Sequence, residues 1–215
     1  MTTTAKDISP TIVWALIGAS LLGVVAVHMP WHVHDVAAFS LNAFDLAEWV
    51  SLHPATRAEN PALLSSILLR LPLVLLGISI ALSANFLRDE RLRWIWRFVA
   101  LLVVFRLNPP IDFYRSPNGV SLNEQHLAFL TYAGIGLVLL IIVIGRRIRP
   151  FYFPLMTLVW VVIIVVSWDG LSRATRTVET LQIDVGYGAG IYLLIGTAVG
   201  VIGLSAYRLY LTTFR

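Results

Sequence analysis

The sequence contains no cysteine and little charge, and both shortages exclude large classes of protein. Without cysteine, the chain can form no disulfide, hold no iron–sulfur cluster and use no thiolate as a nucleophile or metal ligand. Charged residues make up 13% of the chain and hydrophobic residues 58%. Soluble domains carry about 25% charged residues, because their surface has to be solvated. The composition therefore favours an integral membrane protein whose apolar exterior faces lipid.

The sequence also lacks the motifs that mark several enzyme classes. It has no H-E-x-x-H zinc motif, no G-x-S-x-G nucleophile motif and no Walker loop. The glycines at 186–190 follow no strand of a soluble βαβ unit, so they predict a turn into a helix rather than a nucleotide site. The sequence thus leans towards a non-enzymatic protein, and it requires no cofactor.

Six apolar stretches predict an all-α fold: a polytopic membrane protein with a bundle of six transmembrane helices in one domain, residues 1–215. Each stretch is close to the roughly 20 residues that a helix needs to cross a hydrocarbon core of about 30 Å. A helix is expected because it pairs its backbone groups within one segment. The predicted spans are 11–28, 62–86, 94–112, 126–144, 151–168 and 188–207, and the third becomes irregular at Asn108-Pro109-Pro110.

Basic residues predict the orientation of this bundle, because positively charged loops stay on the cytoplasmic side. If the N-terminus is cytoplasmic, the inner set is Lys6, Arg88, Arg91, Arg93, Arg97, Arg146, Arg147, Arg149, Arg208 and Arg215. The smaller outer set is Arg57, Arg106, Arg115, Arg173 and Arg176. Both termini are therefore predicted to be cytoplasmic. The same bias explains the basic character of the chain, so no nucleic-acid partner is expected.

The first outer loop, between Val36 and Leu52, has the pattern of a short helix. Its polar residues recur at a spacing of three among apolar ones, and they are Asn42, Asp45, Glu48 and Ser51. We predict a short interfacial helix that covers the outer mouth of the bundle. A surface for docking a partner is the alternative.

Small residues on three of the spans predict close packing between helices, since lipid supplies no hydrophobic drive. They are Ala19 and Gly23 on the first span, Gly134 and Gly136 on the fourth, and Gly196, Gly200 and Gly203 on the sixth. We expect these residues to pack within the bundle. A homodimer face is the alternative.

Two arginines lie inside the predicted spans and need partners. Arg70 lies in the second span, and Arg106 lies in the third. An unpaired charge in a membrane helix costs about 2.5–3.5 kcal/mol on insertion scales. The candidate partners are acidic residues of the outer loops, namely Asp45, Glu48, Asp112 and Glu124.

The arginines allow three interpretations. In the first, irregular backbone near Pro109 folds into the bundle mouth and brings the acidic residues to the arginines. In the second, a water-filled outer vestibule binds an anion such as a lipid phosphate or a small carboxylate, through Arg70, Arg106, Asn108 and Asp112. In the third, the arginine side chains extend to the interface.

All five histidines fall on the predicted outer side or at its boundary, and three are close in sequence. His28, His32 and His34 are candidate metal ligands, because imidazole binds zinc, copper and iron. Asp35 is a candidate further ligand or hydrogen-bond acceptor. Their spacing matches no established metal motif, and the alternative is that they bind headgroups, water or loop carbonyls.

Three hypotheses of function follow from the sequence. The first is a non-enzymatic accessory or scaffolding subunit of a larger complex in a bacterial-type inner membrane, with membrane lipids and other membrane protein subunits as partners. The second is an anion- or lipid-binding or transport protein that uses the outer arginines. Absence of an acidic residue from the spans weakens the case for cation-coupled transport. The third is a metalloprotein of the outer face that uses the histidines.

Overall fold

Helices dominate the part of the chain that the structure, a computed structural model, describes: residues 8–34, 40–115, 120–145 and 147–213. They are α1 (Pro10–His28), α2 (Ala43–Ser51), α3 (Pro54–Arg57), α4 (Leu64–Ala84), α5 (Glu90–Phe105), α6 (Asp112–Arg115), α7 (Leu122–Ile144), α8 (Tyr152–Glu179) and α9 (Ala189–Thr213). A 3-10 turn, Arg149–Phe151, precedes α8. The all-α class is confirmed. The predicted roles of Lys6, Asp35, Arg146 and Arg215 lie outside the described residues.

Five helices of the described chain are long and apolar enough to cross a membrane: α1, α4, α7, α8 with its 3-10 turn, and α9. This supports the prediction of a membrane protein. The predicted span 94–112 differs, because α5 has only 16 residues and ends at Phe105. At 1.5 Å per residue it is about 24 Å long, less than the hydrocarbon core. The Pro109-Pro110 pair explains why no helix continues to residue 112, since proline disfavours helix at the residue before it.

Among the other helix boundaries that differ from the prediction, two do so for identifiable reasons. α7 begins at Leu122 rather than 126, because Ser121 and Glu124 form a capping box in which each side chain binds the other's backbone N–H. α8 continues past Trp168 to Glu179. Polar side chains stabilise this extension: Arg173 pairs with Asp169 at 3.0 Å, one helical turn away.

The central helix of the bundle is α4, which packs against α1, α5, α7, α8 and α2. The apolar stretch of α4 is 78% buried inside the bundle, whereas the apolar stretches of the other four candidate spans are 33–39% buried. α4 and α7 run parallel, because Arg70 donates to Asn123 near their starts and Asn85 donates to the carbonyl of Ile141 near their ends. We call the end that holds α2 and α3 the capped end, and the opposite end, which holds Arg88, Arg93 and Arg149, the basic end.

Serine side chains join three helices inside the bundle. The hydroxyls of Ser20 on α1 and Ser79 on α4 are 2.8 Å apart, and the indole N–H of Trp160 on α8 donates to Ser79 at 3.0 Å. All three residues are fully buried. A polar group in an apolar interior needs such a partner, so these bonds fix how α1, α4 and α8 fit together.

A three-stranded antiparallel sheet, which the sequence did not predict, lies at the capped end. β1 (Pro30–Val33) is central, between β2 (Ser40–Asn42) and β3 (Gly186–Tyr187). Gly188 and Gly190 make the close approach of α9 to β1 possible. A Cβ at Gly188 would lie 2.3 Å from the carbonyl oxygen of Pro30, and one at Gly190 would lie 2.6 Å from that of Ala26.

The small residues of the spans fall into two groups. Gly23 and Gly134 pack inside the bundle: an added Cβ would lie 2.6 Å from Leu76 and 2.7 Å from Val104, respectively. Ala19 is partly buried and also packs against the core. For the remaining glycines of the set, the prediction of packing within the bundle is wrong. An added Cβ would meet nothing within 4 Å at any of Gly136, Gly196, Gly200 and Gly203, which all face outwards.

Candidate functional site

The cap helix α2 buries its apolar side against the bundle. Leu46, Ala47 and Val50 have no exposed surface, and α2 packs on α4 and α8. The side chain of Asn42 caps the helix by accepting from the backbone N–H groups of Phe44 and Asp45 at 2.9 Å. The predicted short helix is thus present over Ala43–Ser51. Its polar side chain Glu48 lies over the start of α4.

Arg70 is the centre of a closed polar network beneath α2. Its Nη2 donates to Oε1 of Glu48 at 2.5 Å, and its Nη1 donates to Asn123 at 2.6 Å and to Ser66 at 2.7 Å. Asn123 then donates to the second oxygen of Glu48 at 2.9 Å. Both carboxylate oxygens are therefore occupied, and the network ties together α2, α4 and α7.

This network neutralises a buried charge. The side chain of Arg70 has no exposed surface, while that of Glu48 is 42% exposed. A guanidinium at this depth is tolerated only when a carboxylate and further acceptors replace water. Of its donors, only Nε has no hydrogen-bond partner among the described residues. The first interpretation of the arginines, pairing with a loop carboxylate, therefore holds for Arg70, although α2 supplies the acid rather than the Pro-Pro segment.

Arg106 is exposed, and its guanidinium lies near Phe44 of the same cap helix. Its Cζ atom is 4.7 Å from the centre of the Phe44 ring, and that of Arg70 is 5.6 Å from the same ring. An aromatic face attracts cations, so Phe44 interacts with both guanidinium groups. What the structure shows of the predicted shared site is that both arginines lie near this one aromatic ring.

The remaining residues of the predicted anion site do not join Arg70. Asn108 accepts from the hydroxyl of Tyr114 at 2.7 Å, and Tyr132 donates to the same Tyr114 hydroxyl at 2.8 Å. Asp112 is exposed at the start of α6, and in the described part of the chain it pairs with neither arginine. Among the described residues of the predicted set, Arg70 and Arg106 thus share a contact at Phe44, whereas Asn108 bonds to Tyr114 instead.

Two acidic residues that were candidate partners have other roles. Asp45 accepts a hydrogen bond from Asn42 at 2.6 Å in the first turn of α2. Glu124 belongs to the capping box of α7. The residues that sequence reasoning missed are Asn123 and Ser66. The S-x-x-E pattern at Ser121–Glu124 was the available signal, because it places Asn123 in the first turn of a helix.

His28 and His32, two of the histidines that the sequence predicts as metal ligands, form separate hydrogen bonds. His28, at the end of α1, is exposed and donates from Nδ1 to the carbonyl of Val24 at 2.9 Å. His32 lies in β1 and is fully buried. Among the described residues, no three His, Asp or Glu side chains are grouped as a metal ion would need. The metal hypothesis for His28, His32 and His34 therefore has no geometric support in that part of the chain.

His32 has a defined protonation state. Thr175 donates its hydroxyl to the carbonyl of Leu171 at 2.9 Å, so it accepts from Nε2–H of His32, also at 2.9 Å. Nδ1 is then unprotonated, and it is buried without a partner among the described residues. Burial lowers the pKa of His32 from 6.5 to about 4, because it disfavours the charged imidazolium. This neutral histidine joins β1 to the end of α8.

Comparison with known proteins assigns no function to this arrangement: no family model matches the chain, and no curated protein and no solved structure is significantly similar to it.

We predict that Glu48→Gln destabilises the protein, because it leaves the buried charge of Arg70 without a counter-charge. The expected loss in unfolding free energy is about 2–3 kcal/mol. Exposed ion pairs contribute below about 1 kcal/mol and breaking buried ones costs about 3–5 kcal/mol, and Glu48 is intermediate. Reversible SDS titration in mixed micelles measures this value. The matched control is Asp169→Asn, which breaks the exposed pair with Arg173 and should cost below about 0.5 kcal/mol. Equal losses would refute the role of Arg70.

We also predict an acid-dependent loss of stability caused by His32. Above pH 6.5 the imidazole is neutral in both the folded and the unfolded chain, so stability is complete. As the pH falls from 6.5 towards 4, only the unfolded chain gains the proton, which lowers the unfolding free energy by up to about 3 kcal/mol. His32→Gln keeps an N–H donor but does not titrate, so it should flatten this pH dependence. An unaltered slope in His32→Gln would contradict the assignment.

Proposed function

We propose that the protein is a non-enzymatic subunit of a larger membrane complex, in an accessory or scaffolding role. The observation that carries this proposal is the outward face of α9, which we call the glycine face and define as Gly196, Gly200 and Gly203. These glycines pack against nothing in the described chain, although they lie in the middle of a long apolar helix.

The glycine face needs a physical explanation, because glycines in the middle of a helix reduce its stability. A glycine inside a helix destabilises it by about 0.5–1 kcal/mol relative to alanine, because it restricts the unfolded chain least. A glycine that packs inside the bundle, such as Gly23, offsets this cost by letting helices approach closely. The glycine face has no such internal contact. Contact with a helix of another subunit is the compensation that the membrane environment offers, because small residues permit close backbone approach there.

The neighbouring side chains support the same surface. Tyr192 and Val199 are each 60% exposed, and with Gly196 and Gly203 they follow the i, i+4, i+7, i+11 spacing of one helical face. Bulky residues therefore border a shallow depression formed by the glycines. This shape suits a ridge of side chains on a partner helix. We assign the surface to a transmembrane helix of a different subunit, with a second copy of this chain as the competing outcome.

The other two hypotheses have weaker support. The anion or transport hypothesis needs a free guanidinium at Arg70, whereas Glu48 already neutralises this side chain. The metal hypothesis needs His28 and His32 to converge, whereas each side chain bonds within its own surroundings. We therefore favour a structural role for the capped end.

We further propose six membrane crossings, with α5 as the sixth and both termini in the cytoplasm of a bacterial-type cell. α4 and α7 are parallel and each is long enough to cross, so the chain between them has to return across the bilayer. α5, which packs along both helices, is the segment available for this return. The arginines at its start, Arg91, Arg93 and Arg97, favour a cytoplasmic basic end.

The absence of cysteine allows a clean test of this orientation. Leu52, which is 69% exposed, lies at the capped end, and Glu90 begins α5 at the basic end. On intact cells, a membrane-impermeant maleimide is expected to label Leu52→Cys and not Glu90→Cys. Permeabilised cells should show labelling of both. The reverse pattern on intact cells would invert the proposed topology.

We predict that Gly200→Leu disrupts the complex without unfolding the protein. A leucine fits the open space of the isolated chain but prevents close approach of a partner helix, which should weaken association by about 1–3 kcal/mol. Size-exclusion chromatography in mild detergent would show a smaller particle. Gly136→Leu on α7 is the matched control, because an added Cβ there also meets open space.

Three results would count against this proposal. The wild-type protein could run as a monomer in several mild detergents, or the two leucine variants could assemble equally well. A wild-type particle that contains only copies of this chain would replace the accessory role by self-association.

A further inference from the structure

A polar cavity of about 340 Å³ opens at the basic end, on the opposite side of the bundle from the Arg70 network. Three arginines line it: Arg88 from the α4–α5 loop, Arg93 from α5, and Arg149 from the 3-10 turn. Its remaining walls are Ile8, Asn85, Phe86 and Leu87. Among the residues that the structure describes, no acidic side chain lines this cavity, whereas three guanidinium groups do.

Hydrogen bonds and close packing fix Asn85 and Arg93, two residues that line the cavity. Asn85 donates to the carbonyl of Ile141 at 3.0 Å and accepts from Arg97 at 2.7 Å. Gly145 packs so closely that an added Cβ would lie 2.1 Å from the amide of Asn85. Arg93 donates through Nε and Nη2 to the carbonyl of Leu87, at 3.2 and 2.7 Å. These bonds hold its guanidinium in place beside the cavity, which Arg93 lines.

Arg88 is an arginine of this cavity whose charge the described part of the fold does not use. Arg88 is exposed and has no hydrogen bond or ion pair within the described residues. Asp89, the adjacent acid, is engaged as the helix cap of α5, where it accepts from the N–H groups of Arg91 and Leu92 at 2.7 and 3.1 Å. The charge of Arg88 thus remains available to an anion.

A groove of about 170 Å³, lined mostly by apolar side chains and also by Asp89, adjoins this cavity and shares Phe86, Leu87 and Arg88 with it. It extends along α1 past Val13 and Trp14. Trp14 is bordered by Trp96, whose ring is 6.0 Å away in an edge-to-face contact. Polar cavity and apolar groove together form an amphipathic site, with guanidinium donors at one end and hydrocarbon contacts at the other.

We propose that this site binds an anionic glycerophospholipid, with the phosphate in the arginine cavity and an acyl chain in the groove. Arginine suits phosphate because its planar N–H groups match two phosphate oxygens. Basic pockets between membrane helices recognise lipid headgroups by this chemistry. The groove favours a lipid over free phosphate, because a free anion would leave the contacts of Val13 and Trp14 unused.

The test uses the full-length protein in mixed detergent micelles and phosphatidylglycerol with brominated acyl chains, which quench nearby tryptophan fluorescence. Saturable quenching is expected, with tighter binding than for brominated phosphatidylcholine. Arg88→Gln should weaken binding about fivefold, because each arginine near a lipid phosphate contributes about 1 kcal/mol. The matched control is Arg91→Gln, which removes the same charge from the same end. Arg91 does not line the cavity, so this variant should bind like the wild type.

Competition separates the two sources of phosphate. Inorganic phosphate and deacylated glycerophosphoglycerol are expected not to displace the brominated lipid. Displacement by either at a concentration comparable with that of the lipid would overturn the lipid assignment in favour of a free phosphate site. Equal losses in Arg88→Gln and Arg91→Gln, or equal binding of phosphatidylcholine, would overturn the site itself. Circular dichroism confirms that Arg88→Gln is folded, as expected for a side chain without internal bonds.

Discussion

A buried positive charge at Arg70 constrains the whole capped end of the molecule. Its guanidinium lies in the central helix α4, where water cannot solvate it, and Glu48 supplies the counter-charge from a loop. Because that carboxylate has to sit over α4, helix α2 must fold back onto the bundle. Asn123 completes the network from α7. One desolvated charge thus couples three segments that are far apart in the sequence.

The sequence was most informative where a single physical rule acts on a whole segment. Hydropathy identified five long helices, and the need to neutralise Arg70 placed Glu48 among its candidate partners. It failed where side chains decide the outcome. Asn123 was missed because a neutral amide gives no signal in a charge argument, and the end of α8 was misplaced because the exposed pair Asp169–Arg173 extends the helix beyond the apolar run.

The contacts that β1 makes with distant parts of the chain could not be predicted from the sequence. A four-residue strand carries no periodic signal, and His32 was predicted as a metal ligand because imidazole binds zinc, copper and iron. Its actual environment depends on Thr175, 143 residues away, whose hydroxyl is already committed to a helix carbonyl. Only the packing of β1 against α8 creates that pairing. Residue type alone therefore could not reveal the hydrogen bond that this buried imidazole makes.

The two ends of the bundle treat charge in opposite ways, and this contrast connects the proposals. At the capped end Arg70 is buried and neutralised internally, which favours a rigid and self-contained structure. At the basic end Arg88 is exposed, and the neighbouring carboxylate of Asp89 is committed to capping α5. Uncompensated arginines next to a bilayer attract lipid phosphate. If lipid binds one end of the bundle and the Arg70 network makes the other end rigid, the sides of the bundle remain for contact with other helices. The outward glycines of α9 lie on one of these sides.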